Sequence, residues 1–168
     1  MTHPHIEAGL NKQIGLEGFA SIYYLSMASW CESKGLRGMA AFLYRQSDEE
    51  RMHMLKLFHY INDREGLAIV PAMEAPPVAF DSLQAVLEAI LAHEKKVSAE
   101  INQLAAACME ARDYTTLQFL QWYVNEQIEE ESTSRQLLDT WKLLGNDQNN
   151  QYIFDRDLML ASKAPSAK

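Results

Sequence analysis

Four glutamates and one histidine have the type and the spacing for metal chemistry. Glu17 lies in the seam Leu10, Ile14, Glu17, Ser21, Tyr24, Ala28, Cys31, whose steps of 4 and 3 keep every member on one helix face. Glu94 lies in a counterpart seam in the second half of the chain, Leu87, Leu91, Glu94, Ser98, Ile101, Ala105, Cys108. The two seams run in step at one constant offset, with five of the seven positions identical. A carboxylate buried in such a stripe without a partner costs several kcal/mol, so both need partners. Glu50 and His53, three apart, share a helix face and can reach one cation. Gln127 and Glu130 repeat that spacing at the same offset, so Glu17 precedes its polar pair by the interval at which Glu94 precedes its own. Glu17, Glu50, Glu94 and Glu130 together bring four negative charges, which two divalent cations would neutralise. Imidazole with carboxylates suits iron and would also accept zinc or manganese.

These residues must be carried by helices. Proline occurs only at 4, 71, 76, 77 and 165, and the cluster LAIVPAMEAPPVAFDS separates two long proline-free stretches. Val and Thr are scarce, Ala, Leu, Glu, Gln and Met are abundant, and no period-2 alternation is sustained. The class is all-α. Lys34, Gly35 and Gly38 mark one turn, residues 111–114 a second; Asp81 and Ser82 cap a helix, and Gly145 ends another. The predicted helices are 6–33, 37–64, 82–110, 114–143 and 149–161, in one domain spanning 1–168 with a crossover loop at 65–81. Residues of an antiparallel hairpin lie level when their midpoint falls at the turn; Glu17 with Glu50 centre on 33.5, Glu94 with Gln127 on 110.5. Both midpoints fall beside the proposed turns, so all the polar positions can share one level of a bundle core.

Composition narrows the partners. With 168 residues and 19.1 kDa the chain is one domain long, and its 48% hydrophobic content can build a core. A net charge of −8 without a basic run argues against nucleic acid. No window approaches the length of a membrane span, and the N-terminus lacks the apolar core of a leader. Cys31 and Cys108, far apart and outside any CxxC, fit a reducing compartment, so the expected location is the cytoplasm.

The stretches LEGFASIYYLSMASWC, FLYRQSDEERMHML and FLQWYVNEQIEEES resemble the corresponding helices of bacterial non-haem ferritins, and the likeness runs over about 5–162. The carboxylate arrangement is the one known in ferritin-like di-iron bundles. The resemblance implies a four-helix bundle with one long crossover and a short fifth helix, assembled as a homo-24-mer shell. It implies a ferroxidase that oxidises Fe(II) with O₂ or H₂O₂ and deposits ferric mineral. Glu17, Glu50 and His53 would form the first iron site, with Glu50 bridging to a second made with Glu94 and Glu130, two irons per subunit. Gln127 matches a hydrogen-bonding or weakly ligating amide, and Tyr24 a tyrosine able to donate an electron. Glu49, Glu126 and Glu129 match a third iron site nearby, sharing Glu130.

Other residues read more plainly. His3 and His5 belong to a chain end, His59 and His93 read as surface, and the two cysteines as small core residues. No haem is expected, because Arg51 holds the position where bacterioferritins place a methionine, and Met52 is turned about 100° away. Two other functions fit the same carboxylates: a di-iron oxidase or oxygenase, which needs an apolar pocket beside the metals, or a structural bundle that binds no iron.

Overall fold

In the computed structural model, residues 3–161 are described. They form α1 (Pro4–Ser33), α2 (Arg37–Asp63), α3 (Leu83–Glu110), α4 (Tyr114–Leu144) and α5 (Gln148–Ala161), with no strand among the described residues. Proline at the start of α1 suits a position whose amide has no helical partner. Three of the helices end alike. After α1, Gly35 takes φ 78°, and the amides of Gly35 and Leu36 return to the carbonyls of Glu32 and Cys31. Glu65 after α2 and Arg112 after α3 adopt the same left-handed conformation with equivalent bonds. The Ser82 hydroxyl and the Asp113 carboxylate then cap α3 and α4 by accepting from Ala85 N and Thr116 N.

α1 packs on α2 and α3 on α4; the two hairpins come closest in backbone through α1 and α3 and also meet through side chains of α2 and α4, such as the stacked rings of Tyr60 and Phe119. The crossover runs the length of α1. Asn11 exchanges hydrogen bonds with the backbone of Leu67 and Ile69, Pro71 seats against Gly15, and Phe80 meets the rings of Tyr23 and Trp30. This covering segment is why α1 is apolar on more than its inner seam.

α5 lies across α2 and touches α4. Gly38, read as a marker of the first turn, lies at the start of α2 at this contact, where a Cβ would collide with the Asp155 carbonyl oxygen. The Asp155 carboxylate accepts from Met39 N at 2.8 Å, so α5 supplies the cap that Leu36, at the N-cap position of α2, cannot. The core divides in two. One apolar cluster, including Met27, Leu43, Leu87 and Trp141, fills the end near the α1–α2 turn; another, including Leu10, Leu57, Ile101 and Leu120, fills the opposite end. The layer between them is polar.

Candidate metal centre

All four long helices contribute to that layer. Glu17 from α1, Glu50 and His53 from α2, Glu94 from α3, and Gln127 and Glu130 from α4 are all buried. One ligand atom each of Glu17, Glu50 and His53 lie within 4.8 Å of one another, a spacing that one cation could bridge. His53 Nδ1 stands 3.4 Å from Glu50 Oε2. On the other side of the layer, Glu94 accepts from the Tyr24 hydroxyl through Oε1 and from Gln127 Nε2 through Oε2, the latter at 3.1 Å. Glu130 takes Gln46 Nε2 at 3.2 and 3.3 Å on its two oxygens.

The carboxyls hold their protons above the ordinary range. Burial is the main cause at Glu17, reinforced by Glu50, with which it shares a hydrogen bond. Glu50 is raised by burial and then by Glu94 and Glu130, against a lowering from the Glu17 bond. Glu94 is raised by burial even though Tyr24 and Gln127 both favour its anion. Burial and the neighbouring Glu94 push Glu130 up to about 7. Four acids that resist ionisation in each other's presence ionise readily when cations arrive.

The three further glutamates lie outside the layer. Glu49 and Glu129 are exposed, while Glu126 Oε1 is 3.9 Å from His53 Nε2. His53 thus has a carboxylate near each ring nitrogen, Glu50 inward and Glu126 outward. Trp122 packs edge-on to the His53 ring, and Lys56 Nζ stands 3.6 Å over the centroid of the Trp122 ring.

A family model described as a ferritin-like domain matches residues 7–144. The chain belongs to the ferritin-like family. Among its relatives, a probable bacterial non-heme ferritin-like protein of Haemophilus influenzae is 42% identical over 156 residues, covering 92% of this chain and 94% of the other. The bacterial non-heme ferritin of Escherichia coli O157:H7 is 37% identical, covering 94% and 96%. Among solved structures, an open pore ferritin from the archaeon Archaeoglobus fulgidus superposes with a TM-score of 0.93 at 36% identity, covering 95% and 98%. The ferritin four-helix bundle with its short C-terminal helix, expected from the sequence, is therefore the fold.

Within this ferritin-like bundle, sequence reasoning overlooked several groups that touch the layer. Gln13, buried one turn before Glu17, donates to Glu17 Oε1 at 2.7 Å; Gln46 holds Glu130; the Tyr123 hydroxyl donates to the His53 carbonyl at 2.7 Å. A polar residue four positions from a buried glutamate was the available signal. His93 corrects the sequence reading outright: it is buried, not superficial. Its ring sits among Phe19, Tyr23 and Tyr24, Nε2 has no hydrogen-bond partner, and burial pushes its pKa down to about 4. His59 is exposed and both cysteines are buried, as read. No described helix is long and apolar enough to cross a membrane.

Proposed function

We propose that this chain is an iron-storage ferroxidase. It binds two Fe(II) as substrate in the buried layer, oxidises them with O₂ or H₂O₂, and passes ferric iron to a mineral inside a shell of 24 copies in the cytoplasm. The observation that carries this reading is the acidic layer itself, with Glu17, Glu50 and His53 converging on one point and Glu94, Gln127 and Glu130 opposite them. Each Fe(II) gives one electron, so two reduce O₂ to H₂O₂ with the uptake of two protons, or reduce H₂O₂ to two waters with the same uptake. The carboxyls' own protons leave as the cations bind.

Glu50 serves as the bridge: it converges with Glu17 and His53 on one point, and burial with the nearby charges of Glu94 and Glu130 raises its carboxyl. Tyr24 donates its hydroxyl to Glu94, an arrangement in which it can lose one electron to the oxidant while its proton moves to that carboxylate. The third set, Glu49, Glu126 and Glu129, serves as a transit or reserve site, with Glu126 on the outer side of His53.

The organic-substrate alternative needs an apolar pocket beside the metals. The groove of about 740 Å³ between α2 and α4 that reaches His53 supplies one: Met52, Leu55, Tyr60, Phe119 and Trp122 give it a mainly apolar lining, with Asp48, Glu49, Lys56 and Asp63 among them, so turnover rather than shape decides between the two readings. The deciding experiment is anaerobic loading of two Fe(II) per chain followed by an oxidant pulse in stopped flow, with native mass measured in parallel. A fast oxidation phase in a particle near 24 copies is expected. A monomer or dimer that oxidises no faster than iron in buffer would overturn the proposal.

A further inference from the structure

Gln13 has no role in the reading above, and its setting calls for one. It is 2% exposed on the inner side of α1, flanked by the buried side chains of Leu10 and Ile14. An amide there costs stability unless bonded, and an apolar residue would pack equally well. Its Nε2 lies 2.7 Å from Glu17 Oε1, in the i, i+4 register that one helix fixes without help from any other element. The internal repeat sharpens the point: the position equivalent to Gln13 is Ile90, one turn before Glu94, and Glu94 takes its donors from Tyr24 and Gln127 instead.

Resting on the di-iron reading, we propose that Gln13 is a positioning residue. It holds one oxygen of Glu17, leaves the other for iron, and so sets the affinity of the Glu17 half of the centre. Partners that orient a ligand in this way are typically worth about 10–100-fold in metal affinity.

Anaerobic Co(II) titration of the assembled protein, with the melting temperature of the metal-free form, tests this. Gln13→Met keeps the length and flexibility of the side chain and removes the donor; Gln13→Leu is a second apolar variant should the first fail to assemble. Expected is an affinity loss of about 10–100-fold for one of two Co(II) per chain, with the other unchanged and the metal-free melting temperature equal or higher. Wild-type Co(II) affinity in either assembled variant would overturn the proposal, and a fall in melting temperature alongside it would make Gln13 a structural group. Glu17→Ala separates this from the reading beneath it. If it loses one Co(II) while Gln13→Met binds normally, only the role of Gln13 falls; if it keeps both, Glu17 is no ligand and both fall.

Discussion

Gln46 of α2 donates to Glu130 of α4 at 3.2 Å, and the bond has a near mirror image. Exchanged through the internal repeat, Gln46 becomes Tyr123 and Glu130 becomes His53, and Tyr123 donates to the His53 carbonyl at 2.7 Å. One position in each hairpin thus reaches across to the other hairpin's ligand turn. The pseudo-twofold relation survives in the geometry after the side chains have diverged, and the divergence makes the two halves chemically unequal: a carboxylate is held on one side, a backbone carbonyl on the other.

Glu50 is the residue whose loss should silence the centre most completely. Glu50→Ala is expected to abolish the fast phase of Fe(II) oxidation, whereas Glu94→Ala or Glu130→Ala should leave a slower residual phase, since each would remove a ligand from one iron only. Stopped-flow absorbance after an oxidant pulse on anaerobically loaded protein checks this. A Glu50→Ala variant with the wild-type fast amplitude would sink the bridging role.

The crowded acids should make the metal-free protein less stable as pH rises. Glu130 ionises near 7 when folded, against 4.5 ordinarily, so the folded state keeps a proton that the unfolded chain releases. Stability therefore declines from about pH 4.5 to about pH 7, by on the order of 3 kcal/mol if Glu130 acts alone. Removing this carboxylate lessens the decline and leaves the part due to Glu17, Glu50 and Glu94: chelator-treated Glu130→Gln should melt well above wild type at pH 8 and match it near pH 4. Thermal melts across that range would show it, and a Glu130→Gln variant that melts lower at pH 8 would mean that Glu130 belongs to a stabilising ion pair.

Two glycines should fail in different ways. Ala at Gly38 would drive its Cβ into the Asp155 carbonyl oxygen, so α5 must shift and surrender the Asp155 bond to Met39 N. A loss of about 1–3 kcal/mol follows, with faster tryptic cleavage at exposed Arg156. Gly35→Ala meets no atom within 4 Å but keeps φ at +78°, so it costs about 1 kcal/mol through the backbone and leaves that cleavage rate unchanged. Limited proteolysis beside thermal melts distinguishes the two.

The main elements of the centre were legible because burying charge is costly. A glutamate inside an apolar seam, recurring at the same place in a second seam and followed in each half by a polar pair at one fixed interval, has few explanations. The supporting groups were harder to see. Gln13 and Gln46 face the same layer, yet their repeat counterparts are Ile90 and Tyr123, so the comparison that exposed the glutamates concealed them. His93 precedes Glu94, and its burial follows from the aromatic side chains of α1 that enclose it, a contact that helical periodicity along α3 does not encode. Gly38 looked like part of a turn because its true constraint comes from α5, far along the chain at Asp155.

The glutamates outside the layer can be tested apart from the centre. Glu49, Glu126 and Glu129 each precede a member of the buried set by one residue, a rotation of about 100° that turns them from the bundle centre. Glu49 also borders the groove between α2 and α4 that reaches His53, and Glu126 approaches the outward nitrogen of the same ring. An ion leaving the centre past His53 would meet Glu49 and Glu126 first. If they form a transit or reserve site, Glu49→Ala combined with Glu126→Ala should leave the first fast oxidation of two Fe(II) per chain largely intact. It should change the ratio of iron oxidised to oxygen consumed, and slow the recovery of the centre for a second addition. If they are a solvated acidic face, ratio and recovery both stay at wild type. Repeated Fe(II) additions in an oxygen electrode measure the two quantities together, and an unchanged pair would remove these glutamates from the iron path while leaving the buried centre intact.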